Sequence, residues 1–229
     1  LAACHVSPPP PVLPFHTTTE PDPKGETSLV LVVGGVMQGL GGAGLGVAVR
    51  LQHQQTDHTA LGLEMAAGHG DGDNTKLSMV AFRGYGRTTV RDYDWLAVTY
   101  GAGFSLLSTG MVSVTAHAGT ATSYPNDHFV PYLSVSIAVA APLTQGDDFG
   151  DMDDDINESA RANAAVGSPP IGYGGKRGVG TTGYLVFDPG FLVPAGDTGH
   201  DFSFDLGLAF GTRSGTGFWS ASIADQVHQ

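Results

Sequence analysis

Large apolar side chains alternate with small or polar ones over long stretches of this chain. In residues 44–54, for example, Val47 and Val49 alternate with Ala48 and Arg50. A period of two residues is typical of β-strands whose two faces meet different surroundings. The pattern predicts ten strands, at residues 28–39, 44–54, 58–69, 75–86, 92–105, 110–122, 128–142, 179–191, 199–212 and 216–226.

Turn-forming residues separate these segments. Residues 70–74, 124–127 and 194–197 are rich in Gly, Asp, Asn and Pro, which favour tight turns. Consecutive strands with short connections pair antiparallel. We therefore predict an all-β fold, an antiparallel up-and-down meander β-barrel of about 8–10 strands. The count is eight if 28–39 or 216–226 pairs outside the barrel.

The two faces of the predicted strands indicate how such a barrel is oriented. In 199–212 the large face carries Phe202, Phe204 and Leu206, and the other face carries Ser203 and Asp205. In a soluble barrel, the face that contacts water is expected to carry charged and polar side chains rather than Gly and Ala. Most segments also reach the nine to eleven residues that a transmembrane β-strand needs. The pattern favours a barrel with an apolar outside and a small or polar inside.

A few charged side chains fall within these strands. We expect interior ion pairs or a polar lumen to be formed by Arg50, Glu64, Arg83, Asp94 and Asp205. The alternative is that each lies at a strand end in water.

The strand pattern over about residues 28–226 resembles that of small bacterial outer-membrane β-barrel proteins. The resemblance implies an outer-membrane location, with the longer loops on the outer side. The long connection at 143–178 follows the seventh strand and is expected there. Residues 225–229, Asp-Gln-Val-His-Gln, depart from the terminal aromatic signal of such barrels. A pore is not expected, since side chains largely fill a lumen of this size.

The N-terminal residues Leu1-Ala2-Ala3-Cys4 resemble a bacterial lipobox. The resemblance implies that Cys4 carries an N-terminal lipid after removal of a preceding signal. The alternative is an ordinary small residue, although a single cysteine forms no internal disulfide. Residues 5–27 are rich in proline, which predicts an extended tether. The expected organisation is a lipobox remnant at 1–4, a tether at 5–27 and a barrel domain at 28–229.

The composition narrows the function classes. A net charge of −12 and a pI near 4.9 argue against nucleic acid as a partner. No apolar run is long enough for a transmembrane helix. The expected partners are outer-membrane lipid and a protein.

The long connection contains the most acidic stretch of the chain. Residues 147–158 hold seven carboxylates, and Asp151, Asp153 and Asp155 are candidate Ca²⁺ ligands. The helix-loop-helix calcium pattern fails, because Ile156 occupies the glycine position and Ala162 the glutamate position. A solvated acidic loop is the favoured interpretation.

Three functional classes remain. The favoured one is a lipid-anchored outer-membrane barrel with a scaffold or adhesion role. The second is a lipid-anchored soluble barrel that binds a small apolar ligand, and the third is a lipid-modifying enzyme. Ser113 with His117, and His200-Asp201 with Ser203, match no catalytic spacing, so we expect no enzyme and no cofactor beyond the lipid and a candidate Ca²⁺.

Overall fold

The computed structural model is a closed barrel of ten antiparallel strands. It describes residues 19, 22–38, 42–71, 76–108, 110–124, 126, 128–144, 181–194, 199–212 and 217–228. Each strand pairs with its sequence neighbour, and β1 pairs with β10 to close the sheet. The strands are β1 (Thr27–Gln38), β2 (Gly42–Gln54), β3 (Thr59–Asp71), β4 (Lys76–Val90), β5 (Tyr93–Leu107), β6 (Val112–Ser123), β7 (Val130–Pro142), β8 (Thr182–Pro194), β9 (His200–Gly211) and β10 (Gly217–His228). The predicted up-and-down barrel is confirmed, with ten strands rather than eight.

The strand boundaries differ from the predicted ones by at most four residues. The largest difference is at the end of β4, which continues to Val90. Arg91 and Asp92 then form a tight turn in which Asp92 has a φ of 71°. The β4–β5 register shifts between Thr89, which pairs with Ala97, and Val90, which pairs with Tyr93. An irregular pairing of this kind leaves no periodic signal in the sequence.

The assignment of the two faces is confirmed by the exposure of the side chains. Val47, Leu63 and Ile137 point outward and are 55%, 69% and 67% exposed. Ala48 and Ala138 point inward and are buried. The large apolar residues therefore form an external belt, while the inner face carries small residues and larger polar ones such as Arg50 and Tyr132.

The two ends of the barrel differ. Thr27 and His228 lie at one end, which we call the N-terminal end, together with the short β2–β3, β4–β5, β6–β7 and β8–β9 connections. The connection between β7 and β8 leaves from the opposite end. The described residues contain no helix that is long and apolar enough to cross a bilayer.

Aromatic residues gather on the outside at the N-terminal end. Tyr93, Trp95, Tyr124 and Phe129 are all exposed there. Exposed aromatic rings at a strand end are typical of the girdles of membrane barrels.

Glycines on the inner face make room for rings. The ring of Tyr85 lies against Gly62, that of Tyr132 against Gly190, and the imidazole of His117 against Gly101. A Cβ atom at Gly62 would come within 2.3 Å of Tyr85 Cε1 and 2.6 Å of the Leu51 carbonyl oxygen. The glycines on the inner face are therefore required for the neighbouring rings to fit inside the barrel.

We expect Gly62→Ala to destabilise the barrel by about 1–3 kcal/mol, because the added methyl group forces the Tyr85 ring or the β2 backbone to move. Gly84→Ala is the matched control, since nothing lies closer than 4.0 Å to a Cβ there. The measurement is the urea midpoint of the refolded protein in detergent micelles. Equal midpoints for the two variants would contradict this packing.

Candidate functional site, the polar lumen

Three charged residues on adjacent strands meet inside the barrel. Arg50 on β2 is the register partner of Glu64 on β3, which is in turn the partner of Arg83 on β4. Arg50 Nε donates to Glu64 Oε2 at 2.9 Å, and Arg83 donates to Oε1 at 2.8 Å. None of the three side chains is more than 8% exposed. One buried carboxylate is therefore held between two guanidinium groups.

Polar contacts extend this cluster towards the N-terminal end. The Arg50 guanidinium lies 4.9 Å from the centre of the Tyr85 ring, a cation–π distance. The Tyr85 hydroxyl donates to Gln52 Oε1 at 2.7 Å. Tyr85 is thus a lumen residue that links the ion cluster to the next inward position of β2.

A second polar group lies on the opposite wall, on β7 to β9. The Tyr132 hydroxyl donates to Asp205 Oδ2 at 3.2 Å. Asp188 is also buried, and its Oδ1 lies 2.8 Å from where a Cβ on Gly207 would be. The wall formed by β7 to β9 thus carries Asp188 and Asp205, whereas the opposite wall carries Arg50 and Arg83.

The structure places Arg50, Glu64, Arg83 and Asp205 in the lumen and brings the first three together. The interior position expected for Asp94 is wrong. Its side chain is exposed at the N-terminal end of β5. The reason is parity, because Asp94 lies on the same face of β5 as the exposed Val98 and Tyr100, whereas the buried Ala97 and Thr99 face the lumen.

Sequence reasoning missed Gln52, Arg87 and Asp188, which are also buried in the lumen. Both of the first two share the inward parity of Arg50 and Arg83 on their own strands. Alternation was therefore a sufficient signal for Gln52, whereas Arg87 lies beyond the predicted end of β4 at residue 86. Tyr85 and Tyr132 also lie in the lumen, because they share the inward parity of Arg83 on β4 and of Ser134 on β7.

Residues before β1 cross the N-terminal mouth of the barrel. We call Thr19 and Asp22–Glu26 the N-terminal strap. Thr19 is fully buried, its hydroxyl donates to the Asp94 carbonyl oxygen at 2.8 Å, and Thr89 Oγ1 donates to the Thr19 carbonyl oxygen at 2.7 Å. The Thr19 and Ser123 hydroxyl groups are also in contact. This part of the strap is therefore bound to β4, β5 and β6.

The rest of the strap is bound to β2 and to Arg87 on β4. Asp22 Oδ2 accepts a hydrogen bond from Gln52 at 2.9 Å and lies 3.8 Å from the Arg87 guanidinium. The Gly25 amide donates to the Gln54 carbonyl oxygen at 2.9 Å. The predicted tether at 5–27 is therefore wrong for Thr19 and Asp22–Glu26, because buried polar groups of the barrel mouth hold them in place.

The serine–histidine groups weighed for catalysis are not assembled among the described residues. Ser113 Oγ lies 2.6 Å from Ser105 Oγ, whereas the His117 ring packs on Gly101. His200 contacts Asp225, and Ser203 is buried in the lumen. Cys4 and the candidate calcium ligands Asp151, Asp153 and Asp155 lie outside the described residues.

The comparisons with known proteins support the fold and nothing more specific. No protein-family model matches the sequence, and no curated protein does either. An outer membrane channel from Pseudomonas putida F1 aligns with 95% of this chain and 100% of its own, at a TM-score of 0.52 and 10% sequence identity. The translocator domain of the autotransporter NalP from Neisseria meningitidis aligns with 90% of this chain and 89% of its own, at a TM-score of 0.48 and 14% identity. Neisserial surface protein A aligns with 88% of this chain and 95% of its own, at a TM-score of 0.33 and 11% identity. The chain has the closed-barrel fold of outer-membrane β-barrel proteins.

Proposed function

We propose that this chain spans the bacterial outer membrane as a β-barrel with a closed lumen. It serves there as a lipid-anchored scaffold or adhesion protein rather than as a pore or an enzyme. The main support for this proposal is the combination of an apolar outer belt with a lumen that the chain fills with its own polar side chains.

The filled lumen argues against conduction. The central layer consists of the Arg50, Glu64 and Arg83 cluster and the facing Asp188 and Asp205, all of them buried. The strap crosses the mouth at the N-terminal end and adds a second obstruction. A solute that passed through would have to displace buried ion pairs, which is strongly unfavourable when it separates the partners.

The outer belt supports the membrane location. Exposed large apolar residues occur on every strand from β1 to β10, as Leu31, Leu51, Leu63, Phe82, Phe104, Val114, Ile137, Leu185, Leu206 and Ile223 show. Monomeric soluble proteins rarely expose a continuous apolar surface of this extent. The alternative of a soluble barrel with a small apolar ligand is disfavoured for the same reason, and because its lumen would offer charges to that ligand.

The scaffold role rests on the long connection between β7 and β8. It leaves the barrel at the end opposite to the strap, and its sequence is acidic and then glycine-rich. With Cys4 lipidated in the inner leaflet, that connection would face the outside of the cell and present a polar surface to a protein partner.

We expect a Cys4→Ala variant with a cleavable export signal to stay in the outer membrane through salt and carbonate washes, and to leave it only with detergent. The strands, rather than the lipid, then hold the protein in the bilayer. In planar bilayers the purified protein is expected to show no steady conductance. Replacement of residues 145–178 by a short Gly/Ser linker should leave both results unchanged and abolish binding of the protein partner.

Two outcomes would overturn the proposal. Release by carbonate would make the barrel soluble and return ligand binding to first place. A steady conductance in planar bilayers would show that the lumen is open and would favour a channel.

A further inference from the structure

Three carboxylates from two segments, the strap and β9, surround the last residue of β10. His228 Nδ1 lies 2.5 Å from Glu26 Oε1, and His228 Nε2 lies 3.0 Å from Asp201 Oδ2. Ligand atoms of Asp22, Glu26 and His228 all lie within 4.8 Å of one another. These side chains are partly buried, with 17–23% of their surface exposed, so solvent and ions reach them.

The charges around the imidazole are unbalanced. Asp22 shares its charge with Arg87, 3.8 Å away. Among the described residues, the ion pairs of Glu26 and Asp201 are both with the His228 imidazole, which carries at most a single positive charge. A divalent cation in place of the imidazole proton would neutralise this excess of negative charge.

The donor atoms also suit a particular class of cation. One imidazole nitrogen with carboxylate oxygens suits Zn²⁺ and similar divalent transition metals better than Ca²⁺ or Mg²⁺. Both contacts of Asp22 with Gln52 and Arg87 use Oδ2, so Oδ1 remains available. Asp201 stands where a carboxylate would accept the Nε2 proton and fix Nδ1 as the ligand atom, as is usual behind metal-bound histidines.

We propose that Asp22, Glu26 and His228 form a binding site for a divalent transition metal, with Asp201 as the positioning residue. Tetrahedral coordination places ligand atoms about 3.3 Å apart, so small side-chain rotations complete the site. Two ligands come from the strap and one from β10, the strand that closes the barrel on β1. Metal binding would therefore fasten the strap to the closing strands of the barrel.

The test uses the full chain with Cys4→Ala, refolded in detergent micelles and titrated with ZnCl₂ in a calorimeter. We expect one saturable site, and His228→Ala and Glu26→Gln should each weaken it by about 10-fold or more. Glu26→Gln keeps the size of the side chain, so it remains informative if His228→Ala does not fold. Zinc should also raise the thermal unfolding midpoint, and this shift should disappear in both variants.

His200→Ala is the matched control. His200 is also partly buried, lies at the same end of the barrel and contacts a carboxylate, Asp225, at 3.0 Å, but it is not part of the three-ligand group. This variant should bind zinc like the parent chain. Equal affinity of the parent and His228→Ala, equal loss in His200→Ala, or no saturable binding would each overturn the proposal and leave an ion-pair cluster only.

Discussion

Glu64→Ala is expected to lower the free energy of unfolding by about 3–5 kcal/mol, because removal of one member of a buried ion cluster leaves uncompensated charge in the interior. Glu64 accepts hydrogen bonds from both Arg50 and Arg83, at 2.8–3.0 Å. Without this carboxylate, two buried guanidinium groups are held near each other, away from bulk solvent. Repulsion between like charges adds to the lost attraction.

The measurement is urea-induced unfolding in phospholipid vesicles, followed by tryptophan fluorescence. Asp57→Ala is the matched control, since Asp57 is an exposed carboxylate in the β2–β3 turn. Its effect should stay within about 0.5 kcal/mol. If both variants unfold at the same urea concentration, Glu64 does not hold the lumen together. A combined replacement of Arg50, Glu64 and Arg83 by apolar residues should recover part of the loss, because it removes all of the buried charges.

Leu206→Arg is expected to cost about 2–4 kcal/mol in a bilayer, the penalty for an arginine on the lipid face near the membrane midplane. Leu206 lies at the middle of β9, is 49% exposed and points away from the lumen. This prediction separates a membrane barrel from a soluble one, because an arginine on the surface of a soluble barrel would be hydrated at little cost.

Tyr124→Arg provides the comparison at a different depth. Tyr124 is 73% exposed and directly follows β6 at the N-terminal end of the barrel, outside the middle of the apolar belt. The arginine there should cost about 0–1 kcal/mol, because the penalty falls towards the interface. Unfolding is measured in vesicles for both variants. Equal costs for the two arginines would mean that the belt does not face lipid.

The arrangement of the two faces could be predicted because the side chains of a β-strand alternate with a period of two residues. Once Val47 and Leu63 are placed outside, Arg50 and Glu64 follow inside, and no tertiary information is needed. The same alternation could have located Gln52, whereas Arg87 lies in the part of β4 beyond its predicted end. Antiparallel meander pairing followed from the short connections between successive strands.

The contacts within the lumen could not be predicted in this way. Arg50, Glu64 and Arg83 meet because the register aligns them across β2, β3 and β4, and a shift of two residues would keep every face and lose both ion pairs. Asp94 is a different case, because alternation alone places it on the outward face of β5 together with Val98 and Tyr100.

Barrel closure determined the remainder. The strap was expected to be a tether because its prolines disfavour regular structure. Thr19 instead binds groups that are 70 and 75 residues away in sequence, and Asp22 binds Gln52, which is 30 residues away. Glu26 and His228 are 202 residues apart and become neighbours only when β1 pairs with β10. By itself, the sequence determined the strands and their inner and outer faces, which depend on local alternation. The tertiary structure decided the ion cluster, the strap and the candidate metal site, since these depend on strand register and on closure of the sheet.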